Sequence, residues 1–117
     1  MSARSESEEK VLSFSILQLT EVVENLKGCK TIKCVYEESL NLVSLANTYK
    51  SIWYGKANDN DIVIKSIIVI INSAIDSIET KQSIKFDFSN DKDRRLSQLI
   101  KANIEQTSLM LGIDLGR

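Results

Sequence analysis

DIVIKSIIVIINSAIDSIE, Asp61 to Glu79, is the most apolar run of the chain, and the period read into it decides the fold. Its composition favours a strand, because Ile and Val are β-formers. Its period favours a helix. At about 100° per residue, Val63, Ile64, Ile67, Ile68, Ile70, Ile71, Ala74, Ile75 and Ile78 share one broad arc. Lys65, Ser66, Asn72, Ser73, Asp76 and Ser77 oppose it, and of the apolar residues only Ile62 and Val69 join that polar side. A two-residue period would instead set Lys65 on one face with Ile67, Val69 and Ile71. Length decides for the helix: strands average about five or six residues, and this pattern persists roughly three times as long. The segment reads as a helix of roughly 27 Å, at about 1.5 Å per residue, with Asp59 or Asp61 as its N-cap. So wide an apolar arc requires cover from at least two neighbours.

The flanking sequence supplies that cover. From about Ser7 to Lys27, Leu12, Ile16, Leu19, Val23 and Leu26 recur at spacings of four and three, which is one helix face. Gly28 is placed to stop this helix. Phe14 and Leu17 leave the stripe and project to the far side, beside Lys10, Glu21 and Glu24. A second helix runs from about Thr31 to Tyr54, with Val35, Ser39, Leu42, Ala46, Tyr49 and Trp53 inward. Tyr36, Leu40, Val43 and Tyr54 widen it beyond what one neighbour covers. The polar segment Lys56 to Asn60 is a turn, since Asn and Asp bond their own backbone.

Past Glu79 the pattern changes. Ser83 to Phe88 alternates polar and apolar residues at strand spacing. No second strand is available, and a lone strand leaves its backbone groups unpaired. The stretch therefore reads as an extended connector that lays Ile84, Phe86 and Phe88 over one end of the core. Asn90 or Asp91 caps a last helix reaching about Leu111. Its stripe is Leu96, Ile100, Ile104, Thr107 and Leu111, with Leu99 and Met110 alongside, and Gly112 ends it.

The expected fold is all-α: a single-domain antiparallel bundle of about four helices over residues 8–112. Residues 1–7 form a mobile tail and 113–117 a short C-terminal one. Ser5 with Glu8 fits a capping box, and the N-terminal serines beside acidic residues also fit a phosphorylation site. Glu6, Glu8 and Glu9 stand where a signal peptide needs an apolar core. The central run is too interrupted to span a bilayer, which takes about 20 mostly apolar residues. Cys29 and Cys34 read as reduced thiols at the edge of the core, in an intracellular protein, cytoplasmic or nuclear.

Much chemistry is missing from the sequence. The chain has no histidine, so neither the commonest general base nor a Ser-His or Cys-His couple is present. Two cysteines at C-x4-C spacing make neither a four-ligand zinc site nor a C-x-x-C redox pair. Gly55-Lys56 lacks the rest of a phosphate-binding loop. Glu37 and Glu38 are adjacent on a helix and do not share a face. Asp91 and Asp93 sit where a helix dipole favours acid. Asp59, Asn60 and Asp61 lack the remaining ligands of a calcium loop. No enzyme activity, cofactor or metal is expected.

With 15 basic against 16 acidic side chains, the chain carries no electrostatic footprint for nucleic acid. The expected function is a non-enzymatic protein–protein interaction module: a small subunit, adaptor or inhibitor of an intracellular complex. Its partner is another protein or a second copy of itself, met through Phe14, Leu17, Tyr36, Leu40 and Tyr54. No membrane partner is expected. The alternative is a nucleic-acid-associated accessory protein using the basic region from Lys92 to Lys101.

Overall fold

The computed structural model describes residues 6–53, 62–85 and 91–111. It contains four helices: α1 (Glu6–Gly28), α2 (Ile32–Trp53), α3 (Ile62–Lys85) and α4 (Asp91–Leu111). There is no strand among the described residues.

The central apolar run is helical as its period requires. Ile64, Ile67, Ile71, Ala74, Ile75 and Ile78 are buried, and Val63, Ile68 and Ile70 pack half-buried at the edges of that face. Ile62 and Val69, assigned to the polar side, are 79% and 63% exposed. The helix does not stop at Glu79 but continues to Lys85, so Ser83–Lys85 of the expected extended connector is helical. Each residue added to an existing helix gains a backbone hydrogen bond, and no paired strand competes for those groups. Phe86 and Phe88, with the Asn90 cap, lie outside the described residues. So do Asp59 and Asp61, Gly112 and the side chains of Trp53, Ile84 and Leu111.

On α1 the buried row is Leu12, Ser15, Leu19, Val22 and Leu26. Ile16 and Val23, expected at its centre, are half-buried at its edge. Ser15 tolerates full burial because its hydroxyl donates to the Leu12 carbonyl at 2.8 Å. On α2, Val35, Ser39, Leu42, Ala46 and Tyr49 are buried as expected, joined by Ile32. Thr31 caps α2, its Oγ1 accepting from the Cys34 amide at 3.1 Å. Glu6 and Ser7, expected in the N-terminal tail, belong to α1, and residues 1–5 lie outside the described residues.

Directions follow from individual bonds. Tyr49 donates its hydroxyl to Gln18 Oε1 at 2.7 Å, and Asn25 Nδ2 donates to Glu38 Oε1 at 3.4 Å. Numbers rising along α1 meet numbers falling along α2, so the pair is antiparallel. Near the end of α3, the Lys81 ammonium donates to the Lys27 and Cys29 carbonyls at 3.2 and 3.1 Å, which aligns α3 with α1. Asn103 Nδ2 donates to Ser39 Oγ at 2.9 Å. Further along, Gln106 and Met110 face Val43 and Asn47 across a shared groove, so α4 runs with α2. Direction thus alternates along the chain, while the most extensive packing joins the parallel pairs α2·α4 and α1·α3. Small or hydroxyl-bearing Ser39, Ala46, Thr107 and Ser108 are buried on α2 and α4. Thr107 and Ser108 donate to the Asn103 and Ile104 carbonyls at 2.8 and 3.2 Å, so neither hydroxyl is wasted.

Candidate interaction surface

The outward row of α1 is set by the same period that builds its core face. Residues opposite Leu12, Leu19 and Leu26 include Lys10, Phe14, Leu17, Glu21 and Glu24, and all five are exposed. Phe14 is 56% and Leu17 67% exposed. They stand three residues apart, so they are neighbours on the helix surface. Charged groups bracket them: Lys10 Nζ lies 4.0 Å from Glu6 Oε1, and Lys27 Nζ 3.0 Å from Glu24 Oε1.

The remaining predicted contact residues sit elsewhere. Tyr36 is half-buried and packs against the core, while Leu40 is 39% exposed. Leu40 lines an open groove of about 470 Å³ between α2 and α4, with Val43, Asn47, Gln106 and Met110. The α1-facing side of α2 is a different one, carrying Glu38 and Leu45. Phe14 and Leu17 therefore do not form one patch with Tyr36 and Leu40. Tyr54 lies outside the described residues. Leu109, 72% exposed, was not singled out in the sequence. It stands between Met110 and Ser108 in an apolar tail where single positions are hard to assign to a face.

The cysteines depart from expectation. Cys29 and Cys34 form a disulfide across the turn between α1 and α2, with their Cα atoms 5.5 Å apart. The reading as reduced thiols rested on the acidic N-terminus and on C-x4-C being no known redox motif. Geometry overrides it: a three-residue connection closes α1 onto α2 and brings both Cα atoms within disulfide range. Cys29 is buried and Cys34 half-buried. The turn is secured a second way, because Lys81 satisfies two carbonyls at the end of α1.

A shallow polar groove between α1 and α2 contains Glu21, Asn25, Glu38 and Asn41. Glu38 already accepts from Asn25 there. No group of three metal-ligating side chains exists among the described residues. In the alternative nucleic-acid region, Arg94 pairs with Asp91 one turn back. Lys92, Arg94, Arg95 and Lys101 are all exposed on α4, with Arg94 and Arg95 about 100° apart around it. No described helix is long and apolar enough to cross a membrane. No protein-family model, curated protein or solved structure matches the chain.

Proposed function

We propose that the protein is a non-enzymatic helical interaction module that docks onto protein through the outer face of α1. The observation that carries this reading is the pair Phe14 and Leu17, adjacent on a well-formed helix and more than half exposed. Scattered single apolar residues on a surface need no partner, but two neighbours make a small patch. Covering what remains exposed of both contributes roughly 2–4 kcal/mol, scaled from about 1.5–3 per whole side chain. Association costs about 4–15 kcal/mol before any gain appears. The patch therefore decides an association only if the partner brings apolar surface of its own.

The Cys29–Cys34 bond bears on compartment. Disulfides persist where the surroundings are oxidising and are rare among thiols kept reduced by glutathione. It favours an oxidising setting over the reduced intracellular one inferred from the sequence. Free thiols counted on protein from its native source decide between the two.

The test of the docking face replaces both residues, Phe14→Ser with Leu17→Ser, and follows mass by sedimentation and partner capture beside thermal melting. Association lost while the melting point holds supports the reading. If the variant keeps the mass and every partner of the wild type, α1 is not the docking face.

A further inference from the structure

The outer row of α1 is self-complementary. Its members Lys10, Phe14, Leu17 and Glu21 follow at spacings of four, three and four. The midpoint between Phe14 and Leu17 is also the midpoint between Lys10 and Glu21. Resting on the docking face assigned above, we propose that its partner is α1 of a second copy of this chain, packed antiparallel about a two-fold axis through that midpoint. Such an axis makes an isologous contact, in which each pairing occurs twice. Reversal about it lays Phe14 on the partner's Leu17, each about 2 Å along the helix from the axis. The same reversal sets the Lys10 ammonium opposite the partner's Glu21 carboxylate, each about 8 Å from the axis.

Charge selects this arrangement over the parallel one. In parallel register Lys10 would face Lys10 and Glu21 would face Glu21. In the antiparallel register both charged contacts join opposite signs and flank the apolar pair on each side. The groups are available for it. Lys10 is exposed, its contact with Glu6 is a long 4.0 Å, and Glu21 is exposed. Glu24, the next acid along, is engaged by Lys27 at 3.0 Å and competes less for Lys10. An interface built on Lys10, Phe14, Leu17 and Glu21 of each copy is small beside the roughly 1,200 Å² of a standard stable complex, so the dimer is weak and is sought at high protein concentration.

Charge reversal tests the register. Sedimentation equilibrium at low ionic strength compares the wild-type chain, Lys10→Glu, Glu21→Lys, their equimolar mixture, and the chain carrying both. Each single reversal puts two like-charge contacts into its own dimer and weakens self-association by about tenfold. The mixture restores it, because every charged contact then joins opposite signs, and the doubly reversed chain restores it likewise. All variants change exposed positions, and melting curves check that they fold. A wild type that stays monomeric overturns the inference. So does a mixture that associates no better than either variant alone, or single reversals that associate like the wild type. If the chain is monomeric yet Phe14→Ser with Leu17→Ser loses a different protein, the docking face stands and the second copy is excluded.

Discussion

Val69 and Ile71 are two residues apart, and the difference between them tests the fold directly. In a strand they would lie on the same face and respond alike to truncation. In α3 they are about 200° apart, at about 100° per residue, and the structure buries Ile71 completely while leaving Val69 63% exposed. Ile71→Ala removes three carbons from a fully enclosed site and leaves a cavity, costing about 2–5 kcal/mol. The range depends on how far neighbouring side chains collapse into the space. Val69→Ala loses little buried surface and gains helix propensity, since Val is the poorer helix former. Its net effect is within about 0.5 kcal/mol, as for ordinary surface changes. Urea unfolding followed by far-ultraviolet circular dichroism gives both values, read from midpoints at an unchanged m-value. A domain of this size has about 5–15 kcal/mol in total, so both variants are measurable as folded proteins. Equal losses at the two positions, or a larger loss at Val69, would refute the helical assignment of the central run.

Two further variants probe the turn between α1 and α2. Cys29→Ser with Cys34→Ser reopens a loop closed over a sequence separation of 5, and costs about 2 kcal/mol by loop entropy. The melting point falls by roughly 10 °C while helical content is retained; an unchanged melting point would show that the bond contributes nothing. Gly28→Ala stabilises by about 0.4–1 kcal/mol, because a Cβ there meets open space and the backbone is not left-handed; a destabilised variant contradicts that local geometry.

The four helices were legible in the sequence because each carries an apolar stripe long enough to separate a 3.6-residue period from a two-residue one. The same periodicity placed Phe14, Leu17, Ile62 and Val69 outside the core, where the structure has them. Finer detail was not legible. Ser15 and Val22 are buried where Ile16 and Val23 were expected at the centre. Apolar residues alone suggested a stripe rotated towards the isoleucine. The true centre is fixed by which two helices flank α1, and Ser15 fits because its hydroxyl finds the Leu12 carbonyl. The alternation from Ser83 to Phe88 misled over Ser83–Lys85 because three apolar residues are too few to define a period. A bond across the first interhelical turn is sterically conceivable from the sequence, but C-x4-C fixes no distance until the turn between α1 and α2 has a shape, so reduced thiols were the simpler reading. A helical wheel also says which positions point outward and nothing about which of them share a patch. That is why Leu40, on the α4 side of α2, was grouped with Phe14 and Leu17.

The position of the α1 face within the fold bears on how it can bind. A docking residue on a loop gives up backbone freedom on association, and that loss subtracts from affinity. Phe14 and Leu17 lie within a continuous helix of 23 residues. Its inner face is buried against the core, and its C-terminal end is tied to α2 by the disulfide and to α3 by Lys81. Little backbone freedom remains to be lost there, so the ordering cost falls on two side chains and on the flanking charges. Rigidity of this kind also makes register meaningful. Because the spacing of Lys10, Phe14, Leu17 and Glu21 is held by helical geometry, a reversal of charge at either end acts on a fixed distance. A flexible segment would shift to avoid it. The sharpness of the charge-reversal response is therefore itself a consequence of placing the face on α1 instead of on a connecting loop.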